Sequence, residues 1–437
     1  MNCEEALTVA DAAVYNKTGT HLSDLECTVL EMICQDCEYL DIAVSTSYSP
    51  TYIEKDVGPK LWRKLSEALG EKVKKKNFRK ALERYARARN ASSLVLEQEF
   101  PNRPLAQNSN LYIKRSPIEE ICYQEILKPG SLIRIKGPGK MGKTSLLHQI
   151  LQHAEGEGYR TVRVRFQNME SATFDNFDKF LKQFSANVAK ALGLEPEIDR
   201  FWDEELFGNV SNCTTYFQGY LFEKVKTPLV LALDEFERLF EHEKIAKDFF
   251  ALLRSWHEEP NNLDIWQKLR LVVVHSTEPY IEFDINKSPF NVGLPIQLPE
   301  FELEQVQELA RRCGLHWTTS SQAERLRVML GGHPYLWQLA FYYLRRGDLQ
   351  LEDLLEKAPT QEGIYGDHLR DLSELVNRSP LREAFRQVLE TNEGTQLEPN
   401  LAYQLERLGI VRIEKNHVRV TCELYRRYFC NNLFNSY

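Results

Sequence analysis

Residues 137–144 read Gly137-Pro138-Gly139-Lys140-Met141-Gly142-Lys143-Thr144 and match the pattern GxxxxGK[ST]. An apolar stretch at 131–135 precedes the motif and reads as a strand, and residues 145–151 have the spacing of a first helical turn. Such a loop points successive backbone N–H groups at phosphate oxygens, and the helix N-terminus adds positive potential. Because this context argues against an ordinary glycine-rich turn, the sequence predicts that the loop binds a nucleoside triphosphate, ATP.

The residue types within this loop predict separate roles in nucleotide binding. The amine of Lys143 is expected to reach the terminal phosphates, and the hydroxyl of Thr144 is expected to bind Mg²⁺. The nucleotide-binding residues predicted from the loop are Gly137, Pro138, Gly139, Lys140, Met141, Gly142, Lys143, Thr144 and Ser145.

A second motif lies at residues 229–235, where five apolar residues run directly into Asp234 and Glu235. A buried strand delivers such carboxylates to its carboxyl end, where ligands bind in parallel sheets. Asp234 is predicted to hold Mg²⁺ together with Thr144, and Glu235 is predicted to orient or deprotonate the attacking water. The alternative is a buried strand followed by solvated acids.

Three further positions are predicted to act in catalysis. The apolar residues 272–274 lead into His275, Ser276 and Thr277, and a polar side chain at that strand end can contact the γ-phosphate or its water. Ser276 and Thr277 are the main candidates there, and a capped turn is the alternative. Arg254, on the helix before that strand, is a candidate arginine finger for a neighbouring copy, with a solvated or packed arginine as the alternative.

Residues on both sides of the core are predicted to contact adenine. Tyr112 and Arg115 lie just before the core, and Pro334 follows Gly331-Gly332 in a helical region. The alternative, equally compatible with these residues, is that they form turns and loops without contacting the nucleotide.

The overall composition is that of a globular protein. The chain has 437 residues, of which 43% are hydrophobic and 27% charged, and its net charge is −8. No apolar run approaches the ~20 residues that a membrane span needs. The acidic start at 1–5 lacks the basic residues of a signal peptide, so we expect a cytoplasmic protein without a membrane partner.

Nine cysteines are scattered along the chain, and an odd count argues against a full disulfide framework. Cys27, Cys34 and Cys37 are close enough in sequence to suggest a metal site. Packing of small apolar side chains on a buried helix is the favoured interpretation, because no second pair completes a tetrahedral set of ligands.

Charge is distributed unevenly near the N-terminus. Residues 1–50 contain nine acids and one lysine, whereas residues 55–89 contain thirteen Lys and Arg against four acids. A short helix, a polar turn and a basic helix follow one another around residues 53–65, which is helix-turn-helix order. The sequence therefore predicts a basic face on an N-terminal module, which duplex DNA can contact.

The pattern along the chain predicts an α/β fold in which a parallel, doubly wound sheet forms a P-loop core of the ASCE type. Strands are predicted near 131–135, 160–166, 228–233, 269–275 and 295–298, separated by helices. Winged-helix-type modules are predicted at both ends; the C-terminal one shows helix–helix–hairpin–helix order. The predicted domains are a helix-turn-helix module (1–95), a linker (96–110), the ATPase core (111–300), a helical lid (301–370) and a winged helix (371–437).

Together these motifs resemble the AAA-like branch of the STAND and archaeal-type P-loop ATPases. They resemble in particular a bacterial family whose N-terminal helix-turn-helix is associated with vWA and MoxR proteins. The resemblance covers nearly the whole chain, from Tyr52–Trp62 in the N-terminal module to Cys422–Tyr425 in the closing helix. It implies an ATP-driven switch in signalling or defence, with slow turnover, a protein effector and nucleotide-dependent assembly.

Two other functions are compatible with the same motifs. A DNA-associated ATPase of the origin-recognition or transposition-regulator kind is the alternative, favoured by the two predicted winged-helix modules and the basic segment at 55–89. A scaffold that binds ATP for stability and barely hydrolyses it is the third. We rank the switch first, with DNA binding as a part of it.

Overall fold

The structure is a computed structural model of the chain. It describes residues 3–18, 22–35, 37–46, 48–85, 100–106, 109–276, 289–315 and 320–433. The chain divides into two compact units, Met1–Glu99 and Phe100–Tyr437.

The described part of the N-terminal unit is helical. A capping box precedes the helix that begins at Asp24, since Ser23 Oγ accepts from Glu26 N–H at 3.3 Å and Glu26 Oε2 accepts from Ser23 N–H at 2.9 Å. Lys64 Nζ also binds Glu26, at 2.7 Å, and fixes one helix on another. The helices are α1 (Cys3–Thr18), α2 (Asp24–Cys34), α3 (Tyr39–Thr46), α4 (Gly58–Leu69) and α5 (78–85), with Pro50–Tyr52 and a π-helical turn at Ile53–Val57 leading into α4.

Apolar side chains of all these helices form one core, which includes Val29, Ile42, Leu61 and Leu82. The described residues of this unit contain helices and no strand, so they show the helix-turn-helix part of the module predicted at the N-terminus, and its wing stays a prediction. The sequence signal for a wing at this end was only the order of its helices, and that order is shared by both kinds of module.

The second unit is built on a five-stranded parallel sheet. Its order is β2-β3-β4-β1-β5, so β4 separates the strand before the phosphate loop from the strand that ends in Asp234. This is the ASCE arrangement that the sequence predicts. The strands are β1 (Leu132–Lys136), β2 (Arg160–Arg165), β3 (Leu229–Asp234), β4 (Leu269–His275) and β5 (Leu294–Gln297).

The two faces of the sheet bury different sets of side chains, because neighbouring residues of a strand point to opposite faces. Ile133, Val230 and Val272 pack under the helix that follows the phosphate loop. Leu231 and Val273 face a large aromatic core. The helices of this region are α6 (Ile118–Ile126), α7 (Lys143–Gly156), α8 (Phe177–Ala191), α9 (Asn209–Tyr216, continued as a π-helix at Phe217–Leu221) and α10 (Glu243–Glu258), with a short helix at Ile198–Phe201.

Helices and a hairpin follow the sheet and share one apolar core. Two helices, the antiparallel pair β6–β7 and a closing helix confirm the predicted winged helix at this end. A helix missed by the sequence analysis, Gly366–Val376, runs through the position where the lid was predicted to end. The elements are α11 (Leu303–Arg312), α12 (Ser320–Leu330), α13 (Pro334–Arg346), α14 (Leu351–Lys357), α15 (Gly366–Val376), α16 (Leu381–Leu389), α17 (Pro399–Arg407), β6 (Val411–Glu414), β7 (His417–Val420) and α18 (Glu423–Leu433).

Two expectations concern cysteines and membranes. All nine cysteines are free thiols. In the described ranges no group of three or more His, Cys, Asp or Glu residues is placed to hold a metal ion, and this includes Cys27, Cys34 and Cys37. No described helix is both long enough and apolar enough to cross a membrane.

Candidate functional site

The loop at residues 137–144 runs from β1 into the start of α7, and its backbone carbonyls accept hydrogen bonds from the amine of its own Lys143. Two residues adopt left-handed backbone, Lys140 with φ 59° and Gly142 with φ 93°, and Gly142 caps α7. Lys143 Nζ donates to the carbonyls of Gly137 at 2.8 Å and Pro138 at 2.7 Å. The amine therefore lies inside the curl of the loop, where the phosphates of a nucleotide would lie.

Burial lowers the pKa of the Lys143 amine to about 8. The carboxylates of Glu237 and Asp234 act in the opposite direction, while the positive charge of Arg407 adds to the lowering. A buried ammonium beside a second cation is stabilised by an anion, and a phosphate group would supply that charge.

Thr144 and Asp234 meet at the carboxyl end of the sheet, as the sequence predicts. Thr144 Oγ1 donates to Asp234 Oδ2 at 3.2 Å, and the Asp234 carboxylate is buried. The same oxygen accepts from Arg163, a residue of β2, with Nε at 3.1 Å and Nη2 at 2.5 Å. Arg163 was not among the predicted site residues.

Glu235 adopts a strained backbone directly after β3. Its φ of 57° and ψ of 39° are left-handed, a conformation that non-glycine residues adopt rarely and often at functional sites. Its N–H donates to Asp234 Oδ1 at 3.0 Å, while Oε2 is buried without a hydrogen-bond partner. Burial and then the Asp234 charge raise the pKa of the Glu235 carboxyl. This carboxylate is held ready to accept a proton.

The end of β4 contributes one of its three predicted residues. Ser276 Oγ donates to Glu237 Oε1 at 2.5 Å and lines a small pocket beside the phosphate loop. Thr277 lies outside the described residues. His275 faces the aromatic core, with its ring 5.1 Å from that of Phe290, so the suggested contact with the nucleotide is corrected.

Arg254 does not line the cleft formed by this chain. It lies on α10 and its guanidinium forms an ion pair with Glu258, one turn along the same helix. A role in the site of a neighbouring copy stays a prediction.

Tyr112 and Arg115 support the loop from behind and do not line the cleft, which corrects the expected contact with adenine. The hydroxyl of Tyr112 donates to Glu119 Oε1 at 2.6 Å. Arg115 is buried; its Nη2 donates to the carbonyl of Met141 at 2.8 Å, and its guanidinium lies over the ring of Phe301. The structure places Arg115 against the phosphate loop and joins Tyr112 to it through Glu119, and the sequence could not give the direction of these side chains.

A cleft of about 230 Å³ opens beside the loop. One wall is Pro334, Tyr335 and Gln338 of α13, which agrees with the predicted position of Pro334. The opposite wall is the segment 101–105, which the sequence analysis took for part of a linker. The rest of the lining is Lys140, Gly142, Lys143, Thr144 and Ser145.

The segments after the sheet reach the phosphate loop itself. Gly139 N–H donates to the carbonyl of Arg407, the last residue of α17, at 3.3 Å. Lys140 Nζ lies 3.3 Å from His368 Nδ1 on α15 and 4.3 Å from the ring centre of Tyr335. A backbone donor and a lysine of the loop are thus both engaged by the C-terminal region.

The structure adds residues that motif reading missed, and their signals in the sequence were weak. Arg163 is a charged residue in the middle of a strand, and Glu237 follows Glu235 by two positions, so both carried a local hint. The others come together only by tertiary packing, since they are far apart in the chain. They are His148, His368, Arg407 and the segment 101–105.

Comparison with known protein families identifies the family to which this chain belongs. Residues 100–431 match the model described as "AAA-like domain". The chain belongs to the AAA-like domain family. With the phosphate loop and the ASCE sheet already in place, it is a P-loop ATPase. Residues 1–85 of this AAA-like protein match the model of the vWA-MoxR associated protein N-terminal HTH.

Solved structures are similar to this chain at low sequence identity. The Walker-type ATPase paby2304 of Pyrococcus abyssi has a TM-score of 0.51 and 15% identity, covering 76% of this chain and 99% of that chain. The ADP form of the ORC2 protein of Aeropyrum pernix has a TM-score of 0.42 and 18% identity, covering 78% and 97%. AMPPCP-bound DnaA from Aquifex aeolicus has a TM-score of 0.37 and 16% identity, covering 73% and 79%. A search of curated proteins gave no match.

Proposed function

We propose that this AAA-like protein is an ATP-controlled regulatory switch that hydrolyses ATP slowly. The observation that carries the proposal is the hydrogen bond from Gly139 N–H, inside the phosphate loop, to the carbonyl of Arg407 at the end of α17. The loop and the C-terminal module are joined at the place where phosphates would bind.

The nucleotide and the C-terminal module are competing partners of this loop. A phosphate oxygen and the Arg407 carbonyl are both acceptors for the Gly139 N–H, and the phosphate is the stronger acceptor because it is charged. Lys140 faces the same choice between His368 and a phosphate. Binding of ATP therefore favours a state in which the module has moved away, and loss of ATP favours the state described above.

The residues present fit a magnesium ion. Thr144 Oγ1 and Asp234 Oδ2 are 3.2 Å apart, and Mg²⁺ is bound in proteins by oxygen donors of this kind. We propose that these two side chains hold it. When bound, the ion neutralises phosphate charge that develops during transfer.

Hydrolysis is assigned to the residues at the strand ends. Glu235 accepts a proton from a water that attacks the γ-phosphorus; the bond to the bridging oxygen breaks, and ADP and inorganic phosphate leave. Lys143 holds the terminal phosphates, and Ser276, at the end of β4, is assigned to the γ-phosphate or its water; Thr277, next in the sequence, is assigned the same contact. Turnover is slow in a single copy because Arg254 supplies no charge to this site.

We extend the proposal to signalling or defence in bacteria, with assembly controlled by nucleotide and a protein effector as partner. The support is the resemblance set out from the sequence together with the helix-turn-helix match of residues 1–85. No protease, nuclease or transferase set of residues was found in the sequence, so the effector is assigned to another chain.

The switch is tested by weakening the contact between the module and the loop. Gly409 has φ 76°, and a Cβ there would lie 3.2 Å from Cβ of Pro138. Gly409→Ala should therefore push the module from the loop and raise ATP affinity about fivefold, or by about 1 kcal/mol. Gly347→Ala is the matched control, because Gly347 has φ 74° with no atom near the new Cβ.

Size and shape should be measured on the same variants, by light scattering and small-angle scattering, with ATP, with ADP and with neither. Wild type should change dimensions or assemble with ATP, and Gly409→Ala should resemble the ATP state without nucleotide. Identical scattering in all states, with equal ATP affinity for both glycine variants, would refute the switch.

DNA binding is the second candidate function, favoured by exposed basic residues of the N-terminal unit. Lys60 and Arg63 of α4 and Lys74 and Lys76 after it are exposed. Lys75 forms an ion pair with Glu38 at 2.7 Å, so its charge is partly neutralised. Charge reversal at Lys74, Lys75 and Lys76 should abolish binding of duplex DNA, and wild-type affinity should fall steeply with salt.

A control for that experiment changes the same charge elsewhere. Reversal of the exposed Lys224, Lys226 and Lys244 of the ATPase unit alters net charge equally and should leave DNA affinity within about threefold. Equal losses in the two triple variants would mean that the basic segment is no binding surface.

A further inference from the structure

The segment at residues 100–105, here called the strap, is joined to Asp234 by a chain of hydrogen bonds. We propose that Arg163 and His148 form this link, so that binding of Mg²⁺ and nucleotide at Asp234 releases the strap. The proposal rests on the function proposed above, because it assigns a second consequence to occupation of the same site.

The strap is fastened at both of its ends to the ATPase unit. The ring of Phe100 meets Tyr342 of α13 edge-on, with centroids 5.4 Å apart. At the other end, Leu105 N–H donates to Ser145 Oγ at 3.1 Å, and the Leu105 carbonyl lies 2.9 Å from His148 Nδ1. Between these ends the strap forms a wall of the nucleotide cleft.

The partners of His148 fix its tautomer. Its Nε2 lies 2.8 Å from Arg163 Nη1, and a guanidinium has only donors, so Nε2 is the acceptor. Its Nδ1 faces a carbonyl, which has no proton to give, so Nδ1 carries the hydrogen and donates to Leu105. His148 thus joins Arg163 to the strap as a neutral ring with one contact on each nitrogen.

Arg163 holds the oxygen that a metal ion would require. Its Nε and Nη2 both donate to Asp234 Oδ2, which is also the acceptor for Thr144. The Asp234 side chain is only 2% exposed, so little water screens this pair. A dication bound by the same oxygen repels the guanidinium, and Arg163 must then move or weaken its contact.

Movement of Arg163 removes one of the two contacts that orient His148. The ring is then free to rotate, and its bond to Leu105 is lost for part of the time. The strap is the first segment of the ATPase unit along the chain, and its release opens one wall of the nucleotide cleft. Arg163 is a positioning residue in this scheme and performs no chemistry.

Hydrogen–deuterium exchange of the peptide covering 100–106 tests the link. The wild-type protein is compared in four conditions: without nucleotide, with ADP, with ATP and EDTA, and with ATP and Mg²⁺ on a time scale shorter than turnover. Mg²⁺ with ATP should speed exchange of this peptide on the order of tenfold, because loss of the His148 contact at the Leu105 carbonyl lets the Leu105 N–H separate from Ser145 Oγ. ATP with EDTA should leave its exchange close to the nucleotide-free rate.

Two variants interrupt the link in different ways, and one control leaves it intact. His148→Ala removes the contact to Leu105 and should give fast exchange in every condition. Arg163→Lys keeps a charge for Asp234 but cannot reach His148 at the same time, so its strap should also exchange fast while ATP still binds. His153→Ala, on the same helix, loses only a stack on Tyr123 and should behave as wild type.

The readouts separate this proposal from the one that it rests on. Absence of ATP binding by wild type, measured by fluorescence of a labelled nucleotide, would overturn both. Normal ATP binding with no Mg²⁺-dependent change at 100–106, or protection in His148→Ala and Arg163→Lys equal to wild type, would overturn the link alone.

Discussion

The floor and the cover of the nucleotide cleft differ in how their residues are held. Here the floor denotes Lys143 and Thr144 with the nearby Asp234 and Glu235. The cover denotes the strap and Pro334–Gln338, which line the cleft, with His368 and Arg407, which contact the phosphate loop. The floor comes from two short motifs at the ends of β1 and β3, and its Thr144 and Asp234 side chains bind each other. The cover comes from distant segments and meets the loop through rings, prolines and one carbonyl. From this contrast we expect the floor residues to bind and hydrolyse ATP and the cover residues to regulate the response to ATP.

The largest effect is expected at the floor, from Lys143→Ala. The variant removes the buried amine that binds the Gly137 and Pro138 carbonyls and faces the phosphates. ATP affinity should fall by about 100- to 1,000-fold, the cost of one buried charged contact with phosphate. Titration with a fluorescent ATP analogue measures it. Lys128→Ala, at an exposed lysine paired with Glu125, is the control and should bind normally.

Glu235→Gln is the next largest change and separates hydrolysis from binding. Its carboxylate has a raised pKa and an unpartnered oxygen, so the amide should lose the proton acceptor and slow turnover by about 100-fold or more. ATP affinity should stay within about threefold of wild type. Phosphate release measures turnover, and Glu241→Gln, an exposed carboxylate nearby, is the control. Equal, slow turnover in wild type and Glu235→Gln would favour the scaffold over the enzyme.

The same contrast explains what the sequence could predict. The phosphate loop and the end of β3 were found because a strand, a turn and a helix each leave a local pattern, and parallel strand ends converge at one edge. The five strands were placed within two residues for the same reason. Pro334 was predicted to contact adenine from the break that Gly331-Gly332 makes in a helical region, and it lines the cleft.

Features that depend on long-range packing were not predictable from one sequence. The helix Gly366–Val376 was missed although its buried Leu369, Leu372 and Val376 recur at helical spacing. The contact of its His368 with Lys140 depends on long-range packing and left no pattern in the sequence. The strap was taken for a linker, since two prolines and polar residues give the same signal in a loose segment and in a cleft wall. Tyr112, His275 and Arg254 were found at plausible places, but the direction of a side chain follows from its neighbours.

A pH dependence distinguishes the cover from the floor. Burial lowers the pKa of His333, which lies in the cover beside Pro334, to about 4. In the unfolded chain His333 becomes protonated near pH 6.5, whereas in the folded protein it stays neutral down to about pH 4. Above pH 6.5 the ring is neutral in both states and does not change the unfolding free energy. As the pH falls from 6.5 towards 4, the unfolded state is favoured and stability is lost. Between pH 7 and pH 5, His333 should cost about 2 kcal/mol of unfolding free energy.

Urea unfolding of wild type and His333→Gln at pH 7 and pH 5 isolates this term, because other titrating groups cancel in the difference. The loss between the two pH values should be smaller in His333→Gln. His417→Gln, at an exposed histidine of the hairpin, should lose as much as wild type. If His333→Gln loses as much unfolding free energy between pH 7 and pH 5 as wild type, this ring is not held neutral in the folded protein.

Arg254→Ala should have the smallest effect in a single copy, because its guanidinium pairs with Glu258 and does not line the cleft. Turnover at low protein concentration should change by no more than about twofold. Arg200→Ala, which also breaks an exposed pair within one helix, is the matched control. If copies assemble with ATP and Arg254 enters a neighbour's cleft, wild-type turnover per chain should rise with protein concentration while that of Arg254→Ala should not. If turnover per chain depends on protein concentration in the same way for Arg254→Ala and Arg200→Ala, Arg254 has no role in catalysis. Each chain then hydrolyses ATP with its own floor residues.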